Sequence, residues 1–200
     1  MLKKIDKFDQ KHIDKGNIGE SFIKWYCVEA ANYTYKKSSL DENIYSGVDA
    51  YIESIPTDIK NTKSIFFGRV YKKTNKFFVR HPFRTETKAI DYLILNVEEN
   101  KFEITYHGNI ESYLTTNFFK SQEHYFEFKK HILNFDQKNV LDTYISIEQF
   151  LYRLKMDIQS FFKDDVIVKY SETNFERNEE ISIRFIKKTD FETEKLKRRS

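Results

Sequence analysis

A chain of 200 residues with 19 Phe and 13 Tyr but only 5 Gly and 2 Pro has the apolar volume for a sizeable core and is neither collagen-like nor low-complexity. Its 34 basic and 31 acidic residues leave a net charge of +3, too small to name a partner, and the single cysteine, Cys27, excludes an internal disulfide. No apolar run reaches the length of a signal peptide or a membrane span, so the expectation is one domain over residues 1–200 in a reducing, cytoplasmic setting with no membrane partner.

Residues 1–15 alternate charge with a few apolar positions and read as a loosely docked helix. Residues 16–31 spell a stronger one. Asn17 suits its N-cap, and Phe22, Ile23, Tyr26, Cys27 and Ala30 share one face, where Cys27 is expected to pack rather than react. Residues 46–54 and 55–62 read as two short strands with a turn near 53–56. Residues 64–80 form a second hairpin, turning at 72–75. Residues 89–108 give a strand apolar on both faces, a Glu-Asn turn and a return strand, and are the strongest candidate for the sheet centre. Residues 121–135 and 146–162 are helical. In the second helix Ile147, Phe150, Leu151, Leu154, Ile158 and Phe161 keep helical spacing behind a Ser146 cap. Residues 165–170 and 180–188 read as strands joined by a polar loop over 171–179, and the tail 194–200 as disordered. The fold class is therefore mixed α/β: a helix, antiparallel strands and a central strand, then further helices and strands.

The first hairpin carries the chemistry. A turn centred on Glu53 and Ser54 puts Asp49 directly opposite Asp58. Facing residues of an antiparallel pair have Cβ atoms about 4.5–5.5 Å apart. Two carboxylates that close repel unless a cation lies between them or one keeps its proton. Lys60, two residues after Asp58, shares its sheet face. Oxygen ligands with one or two carboxylates suit Mg²⁺, which keeps several waters and accepts phosphate oxygens. The pattern acid-any-Lys alone is weak, since it occurs at least six times in this chain, Asp9–Lys11 and Glu86–Lys88 among them. Only the Asp58 copy adds a strand, an aspartate at hairpin spacing and an upstream helix with an acid near its start. That acid, Glu20, also stands at capping-box spacing from Asn17, and the two roles can coexist.

The helix start GNIGE, followed by GVDAYI and TDIKNT, resembles the PD-(D/E)XK nuclease superfamily, the fold of many restriction endonucleases, Holliday-junction resolvases and repair nucleases. The resemblance implies a restriction-endonuclease-like core over residues 16–107, with 108–200 as a C-terminal elaboration of the same domain. It implies a helix, a three-strand antiparallel unit, a helix and a further strand around one Mg²⁺ site, with Mn²⁺ able to substitute. Carried over, Glu20 matches the first-helix glutamate, Asp49 the leading aspartate, Asp58 the second acid and Lys60 the lysine. The backbone carbonyl of Ile59 is implied as a further metal ligand. Two features depart from the pattern: Val48 stands where a proline is usual, and a basic hairpin takes the place of the helix after the third strand.

Between Asp58 and Glu86 the sequence has no acid, but it has Lys60, Lys63, Arg69, Lys72, Lys73, Lys76, Arg80 and Arg84. Beyond Lys60, these are candidate contacts to nucleic-acid phosphates. The five histidines make no zinc-like cluster. The expected activity is metal-dependent hydrolysis of DNA phosphodiester bonds, DNA being what the resemblance implies, and a homodimer is compatible with it. An RNA-cleaving enzyme with the same site, or a non-catalytic nucleic-acid-binding module on the same fold, remains an alternative.

Overall fold

The computed structural model describes residues 18–61, 63–84, 87–98, 101–175 and 178–197. The expected helix over 1–15, the Asn17 cap and residues 198–200 of the tail lie outside these. The chain is of the α+β class, and the described residues form six α-helices and two sheets, one mixed and one antiparallel. Among the described residues, one compact unit takes those up to Lys63 and from Thr87 to Ile110. A second takes Ser64 to Arg84 and those from Glu111 onward.

The first unit begins with α1 (Ile18–Trp25), which runs on into a single π turn, Tyr26–Ala30. Then come β1 (Tyr35–Lys37), α2 (Leu40–Ser46), β2 (Ala50–Ile52) and β3 (Ile55–Lys60). The hairpin β4 (Ile65–Tyr71) and β5 (Lys76–Val79) belongs to the second unit, after which β6 (Asp91–Glu98) and β7 (Lys101–Asn109) return to the first. The strand order is β1-β2-β3-β6-β7, antiparallel throughout except that β6 runs parallel to β3. A parallel pair needs a long crossover, and the excursion through β4 and β5 supplies it. β6 is interior, as its doubly apolar sequence predicts. Phe22, Ile23 and Cys27 pack with Ile52, Leu93 and Leu95, and Phe22 stacks on Phe102 with ring centres 4.7 Å apart. Burial pushes the Cys27 thiol up to about 11, so it is a packing residue rather than a nucleophile.

Residues 35–45, unassigned by periodicity, form β1 and most of α2, and the strand expected over 46–54 is confined to Ala50–Ile52 because Ser46 closes α2. The helix has its own signals: Ser39 accepts from the Glu42 N–H in a capping box, and Gly47 ends it at φ 67°.

The second unit has a sheet of order β5-β4-β9-β8, with β8 (Val166–Phe175) and β9 (Asn178–Lys187). Its helices are α3 (Ile110–Asn117), α4 (Gln122–Leu133), α5 (Ile147–Gln159) and α6 (Lys188–Lys197). Ser146 caps α5 as expected, accepting from the Gln149 N–H. Two expectations are corrected. Residues 171–175 and 178–179 are strand rather than loop, paired from Ser171↔Ser182 to Phe175↔Asn178. Backbone pairing in this hairpin continues beyond its apolar alternation. Residues 194–197 of the tail are helical, closing α6.

The core of this unit is aromatic. Phe185 lies 4.3 Å from Phe67 and 4.4 Å from Phe162, centre to centre, and Phe128 meets Phe119 and Phe83 at 5.1 and 5.2 Å. The edge of β5 is closed by the chain at 136–139: the Val79 N–H donates to Asp136 Oδ1 and the Gln137 N–H to the Phe77 carbonyl. A β-bulge between Phe66 and Gly68 interrupts the β4–β9 register. A Cβ on Gly68 would stand 2.5 Å from the buried Phe77 ring and 3.1 Å from the Phe78 carbonyl. No helix of the described residues is long and apolar enough to cross a membrane.

The Gly68→Ala substitution is therefore expected to destabilise the protein by about 1–3 kcal/mol through overpacking. Urea denaturation followed by near-ultraviolet circular dichroism measures it, and a stability equal to wild type would mean that the Phe77 ring moves aside freely.

Candidate functional site

The site grows from the β2–β3 turn. Glu53 and Ser54 lie at φ 49° and 67°, the two positive values that a two-residue hairpin of right-handed twist demands and that non-glycine residues resist. Glu53 is anchored: its N–H donates to the Thr34 carbonyl, and its Oε1 accepts from the Thr34 N–H. The turn fixes the pairs Ile52↔Ile55, Tyr51↔Pro56 and Ala50↔Thr57. Pro56 falls in the non-hydrogen-bonded pair, where no donor is required. The ladder ends at the last of these pairs, one residue short of Asp49, whereas the sequence expects a strand that carries Asp49 directly opposite Asp58.

At that point the ladder gives way to side chains. The Asp49 N–H still donates to the Thr57 carbonyl (3.0 Å), but the Ile59 N–H donates to Asp49 Oδ2 (2.7 Å). Asn43 of α2 donates its amide to Asp49 Oδ1. Ser38 holds the Asp49 carbonyl through its N–H (3.1 Å) and its hydroxyl (2.9 Å). Ile59 faces the α1 core, so the alternation of β3 puts Asp58 and Lys60 together on the other face. Lys60 Nζ lies 2.6 Å from Asp58 Oδ1.

Asp58 is 2% exposed and lies near enough to Asp49 for that charge to act on its carboxyl. Its pKa is pushed up to about 7, first by burial and then by the Asp49 charge, against the opposing pull of Lys60. Asp58 thus keeps its proton to far higher pH than a solvated aspartate does.

Glu20 is placed differently. It stands on α1, over the face that Ile59 turns toward, and Lys37 Nζ donates to its Oε2 at 2.7 Å. Tyr35 connects the two places: its hydroxyl is pushed up to about 12 by burial first, then by the charges of Glu20, Cys27 and Asp49. The structure therefore brings together Asp49, Asp58, Lys60 and the Ile59 peptide, and keeps Glu20 in a neighbouring ion pair. Among the described residues no three His, Cys, Asp or Glu side chains converge as a metal site. The neighbouring carboxylates of Asp49 and Asp58 do fit a small hard cation, which would complete its shell with water and substrate oxygens.

The basic residues divide. Lys63 is exposed just after β3, and Lys73 and Lys76 are exposed at the β4–β5 turn. Lys72 is paired with Glu172 at 2.8 Å, and Arg69 with Glu180 at 2.8 Å. The stretch is free of acids along the chain, but acids from β8 and β9 reach it in space. Asn43, Ser38 and Tyr35 were missed by sequence reasoning. The capping box Ser39–Glu42 and Gly47 were the signals that could have placed α2, and with it Asn43, beside Asp49.

The Asp58 proton has a consequence for stability. Its folded pKa lies above the unfolded one, so its contribution is fully present below about 4 and is lost as pH rises through about 7. In EDTA, wild type should therefore lose stability relative to Asp58→Asn between pH 5 and 8, by on the order of 2–3 kcal/mol. Parallel stability curves for the two proteins would refute the retained proton.

No protein-family model, no curated protein and no solved structure matches this chain.

Proposed function

We propose that the first unit is a metal-dependent nuclease centre of the PD-(D/E)XK kind that hydrolyses DNA phosphodiester bonds. The observation that carries this reading is the contact of Lys60 with buried Asp58 at 2.6 Å, beside Asp49, at the point where β2 and β3 part. The element order supports it: α1, the antiparallel run β1-β2-β3, then β6 parallel to β3. The choice of DNA rests on the sequence resemblance.

Each residue has a role in this reading. Asp49 and Asp58 would hold Mg²⁺ or Mn²⁺. When bound, the ion supplies Lewis acidity toward a phosphate oxygen and lowers the pKa of bound water. Asp58 would have to be deprotonated to hold the ion, so metal affinity would rise with pH through about 7. The Lys60 ammonium, released from Asp58, offsets the charge that develops on the phosphate and orients the attacking water. Asn43 and the Ile59 N–H hold the Asp49 carboxylate in one orientation, leaving its remaining lone pairs for the ion. Glu20 would take part through water or a second ion only on parting from Lys37, which holds it at 2.7 Å.

The test is incubation of the full chain with supercoiled plasmid, linear duplex, branched DNA and RNA, with Mg²⁺, Mn²⁺, Ca²⁺ or EDTA. Cleavage of DNA in Mg²⁺ or Mn²⁺ but not in EDTA is expected, with Asp58→Asn and Lys60→Ala each reducing it at least a hundredfold. Wild-type cutting by folded Asp58→Asn would sink the assignment, and cleavage confined to RNA would move the substrate class.

Glu20→Gln separates catalysis from structure. It keeps the shape of the side chain and removes the charge. A large loss of cleavage at unchanged melting temperature would give Glu20 a part in the chemistry, whereas a loss of melting temperature alone would leave it as the partner of Lys37.

A further inference from the structure

The outer face of the second unit's sheet gathers arginines around one ring. Phe66 on β4 is the cross-strand partner of Arg184 on β9. The bulge after Phe66 returns Arg69 to the same face, and Arg80 follows β5 with its N–H donating to the Phe67 carbonyl at 2.8 Å. The guanidinium carbons of Arg184, Arg69 and Arg80 lie 4.7, 5.3 and 5.6 Å from the Phe66 ring centre. All three side chains and the ring are half-buried.

Glu180 binds Arg69 at 2.8 Å, and Arg184 donates to the Ser64 hydroxyl at 3.4 Å. Arg80 feels the like charges of Arg69 and Arg84 as well as the acid Glu180, and Arg184 feels Arg69. Both guanidinium groups have their pKa lowered, by burial first and then chiefly by these like charges. Crowding like charges in a half-buried place costs free energy unless an anion offsets it. The aromatic ring orients the guanidinium planes, and their N–H forks match the two oxygens of a phosphate.

We propose that the Phe66 face, framed by Arg69, Arg80 and Arg184, binds the phosphate groups of a nucleic-acid strand. The phosphate rests on this geometry alone, whereas its source in a nucleic acid rests on the nuclease reading. Arg184 is the residue that the sequence analysis did not single out.

The experiment is fluorescence anisotropy of the full chain in EDTA with a labelled oligonucleotide, single-stranded or duplex, across a potassium chloride series. Arg184→Gln and Arg80→Gln should each weaken binding by roughly tenfold. They should flatten the salt slope by about 0.9 on duplex, or about 0.7 on single strands, for each phosphate no longer neutralised. The exposed Lys130→Gln on α4 serves as the control and should bind as wild type does. Unchanged affinity and slope in both glutamine variants, at unchanged melting temperature, overturns the site. If Arg184→Gln does not fold, Arg184→Lys, which keeps the charge but loses the fork, should still bind more weakly than wild type. Stabilisation by inorganic phosphate that Arg184→Gln abolishes, without binding of either oligonucleotide, overturns the strand as the ligand. Cleavage with Mg²⁺ is read on the same proteins. Wild-type cutting with arginine-independent binding defeats this site and spares the nuclease centre, whereas arginine-dependent binding without cutting does the reverse.

Discussion

The end of the β2–β3 hairpin leaves Asp58 buried beside the Asp49 charge, and the surrounding residues of the first unit answer that constraint. Two neighbouring carboxylates, one of them 2% exposed, cannot both stay charged without compensation. Three devices supply it. Lys60 approaches Asp58 from the same face, the Ile59 N–H and the Asn43 amide donate to Asp49, and Asp58 keeps its proton up to about pH 7. None of these removes the negative charge as completely as a divalent cation would. A merely structural site would be simpler with one acid and one lysine, so the second acid is the feature that calls for a functional account.

The supports of this arrangement come from elements whose own stability is local. α2 is held by a capping box at one end and by left-handed Gly47 at the other, and Tyr51 donates to Glu42 across to it. That short helix carries Asn43 to Asp49. The turn residues Glu53 and Ser54 occupy backbone conformations that cost free energy in isolation, and Glu53 offsets the cost with two bonds to Thr34. The register that leaves Asp58 beside Asp49 is thus held by side chains at the far end of the hairpin as well as by the ladder itself.

In the second unit one sheet separates two kinds of aromatic environment. Phe67 and Phe185 face a dry aromatic core, while Phe66, next in sequence to Phe67, carries arginines. The bulge at Gly68 makes this possible, because it lets Arg69 return to the Phe66 face while Gly68 yields to the Phe77 ring. A regular strand would have put Arg69 on the core side.

Elements with strong periodicity or unambiguous turn geometry were legible from the chain alone. The helix behind Ser146, the doubly apolar β6, the β4–β5 hairpin and the β2–β3 turn at Glu53 and Ser54 all follow from local spacing, because side-chain direction is fixed by φ and ψ within a few residues. Polar segments were not legible. Residues 171–175 and 194–197 take regular structure from pairing and packing rather than from an apolar pattern of their own. Nor could the sequence say which acids neutralise which bases: Glu172 and Glu180 reach Lys72 and Arg69 from about a hundred residues away or more, and Arg184 meets Phe66 only through the β4–β9 pairing. The sequence by itself determined that Asp58 and Lys60 share one strand face, since alternation along a strand is a local property. Only the tertiary structure decided that Asp58 is buried enough to hold a proton near neutrality, that Glu20 is engaged by Lys37, and that three arginines share one ring, because burial and charge balance depend on residues far apart in sequence.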